Sequence, residues 1–206
     1  MLINRLGEHF KYKRGAIHVG ANVGEERHWY YSNGFMSVFW FEPNKEIFDI
    51  LKKNISVYPN QYAVNLGVHD TLDRATLHIS NNAGQSSSIL DLGTHKKHHP
   101  EVEYIQDQDT QLVRMDEFFS KGMLDEFNFL NVDVQGVELN VIKSFGDQIV
   151  KMDYINAEVN EEEVYEKGAL IDEIDEYLKG YGFNRTVTEM TKFHWGDALY
   201  VRDGII

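Results

Sequence analysis

Cysteine is absent from the 206-residue chain, which excludes disulfides and thiolate metal sites without identifying a compartment. Proline is scarce at 3 residues, and no Pro/Gly/Ser tract reads as a linker. The chain is therefore expected to be one domain over residues 1–206, with residues 1–14 as an N-terminal extension. No apolar run approaches the ~20 residues of a membrane helix. The opening "MLINRLGEHFKYKRG" carries bases but lacks the apolar core of a signal peptide, so a cytoplasmic location is the default expectation. Basic residues are also few: 20 Lys and Arg stand against 33 Asp and Glu, a net charge of -13. A nucleic-acid binder gains affinity by neutralising phosphates, so that class is disfavoured. Only "KYKR" and "HKKHH" concentrate positive charge, and a neutral small molecule or a glycan suits the balance better.

What is present is alternation. Short β-branched or aromatic runs at 16–19, 37–42, 61–68, 128–134 and 153–159 read as strands. Between them, 23–34, 43–55, 137–146 and 170–182 carry helical spacing or stop signals. "ATLHIS" alternates as an added antiparallel strand. Residues 81–111 give little signal and read as a long loop, the kind that often serves as a lid or binding loop. Two strands, 183–190 and 197–203, close the chain around "TKFHWG". Such alternation predicts an α/β sandwich with a mostly parallel sheet and an antiparallel last strand.

"IHVGANVGEE" places Gly20, Asn22 and Gly24 at the junction between the first strand and its helix. In open α/β sheets ligands sit beyond the carboxyl ends of the strands. Glycines there let the backbone turn sharply and approach a ligand. The next strand ends in Glu42, about the ~20 residues on at which a ribose-binding acid is expected. The pattern is G-x-x-x-G, not the G-x-G-x-x-G of dinucleotide enzymes. Glu25 and Glu26, expected in the first helical turn, would repel a pyrophosphate held at a helix N-terminus. A ligand with a ribose and a cationic centre fits better, and S-adenosylmethionine has both. The competing reading makes the glycines a tight turn and Glu42 a helix cap.

Taken together, "IHVGANVGEE", "FEPNKEIFDILKKNI", "VNLGVHD", "SSSIL", "VRMDEFF" and "FLNVDVQGVELNVIKSF" resemble the FkbM-type methyltransferases, a branch of the class I S-adenosylmethionine-dependent fold. The family's D-x-E-G-x-E element stands as Asp133-Val134-Gln135-Gly136-Val137-Glu138, with Gln135 in place of the usual Glu. His18 stands where the family usually has Asp. The resemblance implies a Rossmann-like sandwich with a seven-stranded, mostly parallel sheet and an antiparallel last strand. It also implies O-methylation of sugar or polyketide hydroxyls, in domains found alone or fused to glycosyltransferases. By position, it assigns Gly20, Asn22 and Gly24 to the methionine end of the cofactor, Glu42 to the ribose, and Asn65, Leu66 and Gly67 to the adenine. Ser86, Ser87 and Ser88 would close over the cofactor or substrate, or form a polar surface loop.

Methyl transfer to a hydroxyl needs alignment and removal of a proton. His194, after the sixth strand, is the leading expected base because imidazole titrates near neutrality; Asp133 is second. Asp133 and Glu158 end adjacent strands, where they could bind Mg²⁺ or Mn²⁺, or contact cofactor and acceptor directly. Trp195 could stack on a sugar, with Tyr165 as an aromatic wall and Gln135 beside the substrate. Glu138 reads as structural, and "HKKHH" as an exposed loop. A nicotinamide dehydrogenase is disfavoured by the glycine spacing, and an amino-group methyltransferase by the lack of "[DN]-P-P-[YFW]". A non-catalytic cofactor-binding module remains the alternative from another class.

Overall fold

The first strand, β1 (Gly15–Val19), is buried along its whole length, as an apolar run covered on both faces must be. The computed structural model describes residues 2–120 and 122–205. A 3₁₀ segment at Leu2–His9 precedes β1 and buries Ile3 and Leu6 in the aromatic core around Tyr30 and Trp40. Helix α1 (Arg27–Ser32) follows. It is shorter than the expected 23–34 because Asn22 and Gly24 have φ of 44° and 72°, values no right-handed helix can contain. Glu26 is consequently the N-cap of α1, and neither it nor Glu25 lies in a helical first turn.

Strand β2 (Val38–Phe41) leads into α2 (Lys45–Ile55). Asn44 caps α2, its side-chain oxygen accepting from the backbone N–H of Glu46 and Ile47 at 3.1 and 3.3 Å. Leu51 and Ile55 bury one face of α2, whereas Ile50 is exposed. The expected strand at 61–68 is split into β3 (Gln61–Val64) and β4 (Gly67–Val68). At the break, the Asn65 amide donates to the carbonyls of Glu42 and Pro43 at 2.9 and 3.1 Å.

Next come β5 (Arg74–Ser80), α3 (His95–His98) and β6 (Tyr104–Val113). The expected loop at 81–111 therefore ends early. Strand β6 runs antiparallel to β5, and together with β4 they form a separate three-stranded sheet. The sequence of β6, "YIQDQDTQLV", hides the strand because most of it is solvent-exposed or half-buried on both faces, so no apolar alternation is required.

The remainder is α4 (Met115–Phe118), β7 (Phe127–Val132), α5 (Glu138–Lys143), β8 (Tyr154–Asn160), α6 (Ile171–Lys179), β9 (Phe183–Met190) and β10 (Trp195–Arg202). The seven-stranded sheet has the order β3-β2-β1-β7-β8-β10-β9. All pairs from β3 to β8 are parallel, and β10 is antiparallel to both β8 and β9. The order reverses between β1 and β7, so the crevice lies over their carboxyl ends. Among the described residues no helix is long and apolar enough to cross a membrane.

A polar line crosses the aromatic face of this sheet. Register aligns His18 with Trp40 on one side and Asn131 on the other, and Asn131 with Asn156. The Asn156 amide donates to Asn131 Oδ1 at 2.8 Å, which turns the Asn131 amide nitrogen onto His18 Nε2 at 3.0 Å. Nε2 must then accept, so Nδ1 carries the proton and faces the Tyr30 hydroxyl at 3.1 Å. Burial lowers the His18 pKa to about 3. Since this lies below the ordinary 6.5, neutral His18 contributes stability that is complete above pH 6.5 and is lost as pH falls towards 3. His18→Phe keeps a ring on Trp40 but strands the Tyr30 hydroxyl and the Asn131 amide. It should lower stability at pH 7 by about 2 kcal/mol or more, yet flatten the decline between pH 6.5 and 4. Denaturant titrations of both proteins across that range check the slope.

Candidate active site

One pleat beyond the polar line the strands end, and a cavity of about 810 Å³ opens above them. This is within the size range of ligand pockets. Gly20 forms its floor with φ of 81°, and a Cβ there would overlap the carbonyl oxygen of Asp133. Only glycine allows this close approach of the β1 and β7 ends. The same turn presents the Asn22 N–H to Glu42 Oε2 at 2.8 Å, while the Asn44 N–H bonds Glu42 Oε1 at 2.8 Å. Asn22 Oδ1 accepts from the Val23 N–H at 2.7 Å, so this side chain steadies the turn. Burial raises the Glu42 pKa to about 7, opposed by the two backbone bonds and aided by Asp133. Each oxygen of Glu42 keeps a second lone pair, a pattern that fits a ribose diol.

Gly67 and Ser86, Ser87 and Ser88 also line the cavity. The serines hold its roof together. Ser88 Oγ donates to the Gln135 carbonyl at 2.7 Å, Ser87 Oγ accepts from the Ser80 N–H at 3.1 Å, and the Asn82 amide donates to Ser86 Oγ at 2.9 Å. Gly24, Asn65 and Leu66, expected at the cofactor, do not form its wall. A Cβ on Gly24 would meet Leu51 at 2.6 Å, so this glycine serves the packing of α2. Asn65 ties down the end of β2 through its amide, and Leu66 packs on the core.

On the opposite wall, Gln135 and Gly136 take φ of 61° and 105°. This left-handed pair swings Gln135 back over the strand ends. Its amide nitrogen donates to Asp133 Oδ1 at 2.6 Å and to Glu158 Oε2 at 3.0 Å, and its oxygen accepts from the Tyr165 hydroxyl at 2.6 Å. Burial, then the charge of Asp133, raises the Glu158 pKa well above its ordinary value. Burial also raises Asp133, opposed by a hydrogen bond from Glu158. Both carboxyls are thus pushed towards the protonated form. The expected Mg²⁺ or Mn²⁺ site does not fit here, because an amide N–H already bridges the carboxylates. Among the described residues no group of three or more His, Cys, Asp or Glu could hold a metal ion. Glu138 is structural as expected, accepting from the N–H of Gly136 at 2.9 Å and of Val134 at 3.3 Å.

Trp195 and Tyr165 line the cavity, but the expected base His194 does not. His194 occupies the β9–β10 turn with φ of 63°, and its exposed ring points Nδ1 at Glu161 Oε2, 3.0 Å away. Several lining residues are not assigned by the sequence reading. Asp197 lies opposite Glu158 in the β8–β10 register, and an acid inside the buried strand "WGDALYVR" is a legible signal. Asn131 and Asn156 precede Asp133 and Glu158 by the same two positions, a spacing that puts each pair on one face. His95 also lines the cavity, and nothing in "HKKHH" marks it off from its neighbours.

Ribose hydroxyls donating to Glu42 would favour its ionised form. Affinity for S-adenosylhomocysteine should therefore rise between pH 6 and 8, with a proton released on binding, as Glu42 starts near 7. Glu42→Gln should abolish that release and weaken binding by roughly 10–100-fold. Calorimetry in buffers of different ionisation enthalpy measures both. His194→Ala should leave turnover within about twofold, the size of effect usual for an exposed side chain outside the cavity.

The sequence matches the family model described as "Methyltransferase FkbM domain" over residues 18–185. It is 24% identical over 157 residues to the 2-O-methyltransferase NoeI of Sinorhizobium fredii, covering 73% of this chain and 65% of the relative. It is 27% identical over 147 residues to the hexuronic acid methyltransferase AglP of Haloferax volcanii, covering 69% and 54% respectively. The chain thus spans less than two thirds of the length of either curated relative. In fold it is similar to the magnesium protoporphyrin IX methyltransferase of Synechocystis with bound SAM, at a TM-score of 0.54 and 10% identity over 98% of this chain and 76% of that one. The putative methylase HI0767 of Haemophilus influenzae matches at 0.54 and 12% identity, covering 98% and 93%. A glycine-floored crevice at the sheet's switch point and a family match across most of the sequence lead to one assignment: the chain belongs to the FkbM methyltransferase family.

Proposed function

We propose that the protein transfers a methyl group from S-adenosylmethionine to a hydroxyl of a sugar or glycan. The observation that carries this reading is the placement of two acidic features in one cavity: Glu42 at one strand end, and Asp133 and Glu158, bridged by the Gln135 amide, beside it. Family membership and the resemblance to a 2-O-methyltransferase and a hexuronic acid methyltransferase support the same chemistry. When bound, the cofactor supplies an electrophilic methyl on a sulfonium and departs as a neutral thioether.

In this reading Glu42 holds the ribose, and the backbone at Gly20 and Asn22 lies against the methionine end. Burial favours the protonated form of both Asp133 and Glu158, and an adjacent sulfonium would favour a negative charge on Asp133 as its counter-ion in a low-dielectric pocket. Gln135 keeps the two carboxyls in register and its oxygen occupied by Tyr165, so Tyr165 is a wall rather than a free donor. Trp195 offers a flat apolar surface to the acceptor, suited to the C–H face of a sugar ring. The acceptor must align with the methyl for in-line displacement, a constraint worth up to roughly 7–11 kcal/mol when well met.

The counter-charge role separates the two carboxyls. Asp133→Asn should weaken S-adenosylmethionine binding by roughly 10–100-fold while affecting neutral S-adenosylhomocysteine much less. Glu158→Gln, which mimics the protonated acid, should stay within about threefold, below the 1.4 kcal/mol of one decade. Equal losses for both ligands would remove the counter-charge role. For the reaction, glycans incubated with enzyme and isotope-labelled cofactor should gain labelled O-methyl groups by mass spectrometry, unaffected by chelator. Cofactor binding without transfer to any sugar would instead favour a non-catalytic module.

A further inference from the structure

The strand ends bring a row of functional groups to one level of the sheet. Register aligns Val19 with Phe41 and with Val132, and Val132 with Ala157. The backbone ladder continues past these pairs, with the Gly20 N–H on the Phe41 carbonyl and the Asp133 N–H on that of Val19, both at 3.0 Å. The next residues, Glu42, Gly20, Asp133 and Glu158, therefore stand side by side, and Asp197 of β10 pairs directly with Glu158. Neighbouring strands are about 4.8 Å apart, which puts the Asp197 backbone roughly 10 Å beyond that of Asp133 and about 19 Å from that of Glu42. With the ribose at Glu42, the methionine end over β1 and the sulfonium at Asp133, the cofactor covers the row as far as β7. The acceptor is left the part over β8 and β10.

Strand β10 meets that place with Trp195 and Asp197. Two positions apart in one strand, they share a face, and both are half-buried and line the cavity. Gly196 between them lies so close to β9 that a Cβ would overlap the Glu189 carbonyl, so this stretch of β10 is packed tightly in place. Residues directly opposite in an antiparallel pair also share a face, and Glu158 turns its Oε2 up to the Gln135 amide at 3.0 Å. Asp197 thus points to the same side, into the cavity. A carboxylate offers about four lone-pair sites, enough to receive a hydroxyl besides what Asp197 engages within the protein.

We infer that Asp197 receives the hydroxyl of a sugar seated on Trp195 and takes its proton during methyl transfer. This rests on the O-methyltransferase reading above. As the acceptor O–H bond breaks, its electron pair remains with oxygen, and an oxygen lone pair forms the new bond to the methyl carbon. The carbon–sulfur pair leaves with sulfur, and the proton goes to a carboxylate oxygen of Asp197. A sulfonium and a carboxylate become a thioether and a carboxylic acid, both neutral, and nothing further is consumed. The neighbouring acids are poorer choices. Burial and the charge of Asp133 favour the protonated form of Glu158, which cannot accept a second proton. Asp133 accepts from the Gln135 amide at 2.6 Å, and an adjacent sulfonium lowers its basicity. Glu189, opposite Asp197 on β9, is ion-paired with Arg5 at 2.7 Å.

Two readouts test this. Asp197→Asn and Asp197→Glu are compared with wild type for S-adenosylhomocysteine affinity by calorimetry, and for kcat and KM with the glycan that the labelling assay identifies. Asp197→Asn should lose roughly 10²–10⁴-fold in kcat and bind S-adenosylhomocysteine within about twofold, because Asp197 lies two strands beyond the cofactor. Asp197→Glu keeps a base and should recover about tenfold or more of that loss; equal losses in the two variants mark a merely structural role and overturn the inference. Wild-type turnover in Asp197→Asn removes Asp197 while leaving the O-methyltransferase reading intact. Independently of activity, a crystal structure with S-adenosylhomocysteine and that glycan should place the acceptor oxygen about 2.6–3.2 Å from an Asp197 oxygen. An acceptor oxygen held by another side chain overturns the inference. A wild type that binds cofactor and methylates nothing defeats that reading and this inference together. Should both variants fail to fold, as far-ultraviolet circular dichroism would reveal, the crystal structure decides alone.

Discussion

The close approach of Gly20 to the Asp133 carbonyl is the contact on which the rest of the site depends. Parallel pairing carries β1 and β7 side by side to the same level, and the missing Cβ lets the chain leave β1 without pushing β7 away. The Asn22 N–H thereby reaches Glu42 on one side, and Asp133 begins the turn that returns Gln135 over the cavity on the other. A side chain at this one position would separate the two halves of the crevice.

The cavity is electrostatically unfinished without a ligand. Burial raises Glu26, Glu42 and Glu138 to about 7 each, and raises Asp133 and Glu158 as well. Carboxyls whose pKa rises on folding add stability that is complete below the ordinary 4.5 and is lost as pH climbs towards 7. Among the described residues no lysine or arginine lines the cavity to offset them. A cationic ligand that binds only the folded state would relieve this repulsion and stabilise the fold by mass action. The arrangement accords with a chain of net charge -13 that handles a sulfonium.

The roof is tied to the acidic strand ends through Tyr165. Hydrogen bonds run from Tyr165 through Gln135 to Asp133 and Glu158, and His95 lies 3.1 Å from Ser86 Oγ. An amide in the middle of this chain holds groups in place but does not readily pass protons. The network therefore fixes Tyr165 over the two carboxyls.

Much of this is legible from residue order alone. Apolar runs with a period of two or 3.6, a glycine turn after the first strand, and acids at strand ends are local patterns, so Gly20, Glu42, Asp133 and Glu158 stand out without any tertiary structure. The helix expected at 23–34 is too long because its left-handed turn at Asn22 leaves little trace in composition. Strand β6 escapes a reading by pattern because polar faces carry no alternation. The chain itself determined which elements form and which strands end in functional groups, since propensity and periodicity act between near neighbours. Only the tertiary structure decided that His95 is buried in the roof while His194 stays in solvent, that Gly24 serves α2, and that Gln135 bridges two acids. Burial and these hydrogen-bond partners depend on segments 20 or more positions apart in sequence, and no local pattern encodes them.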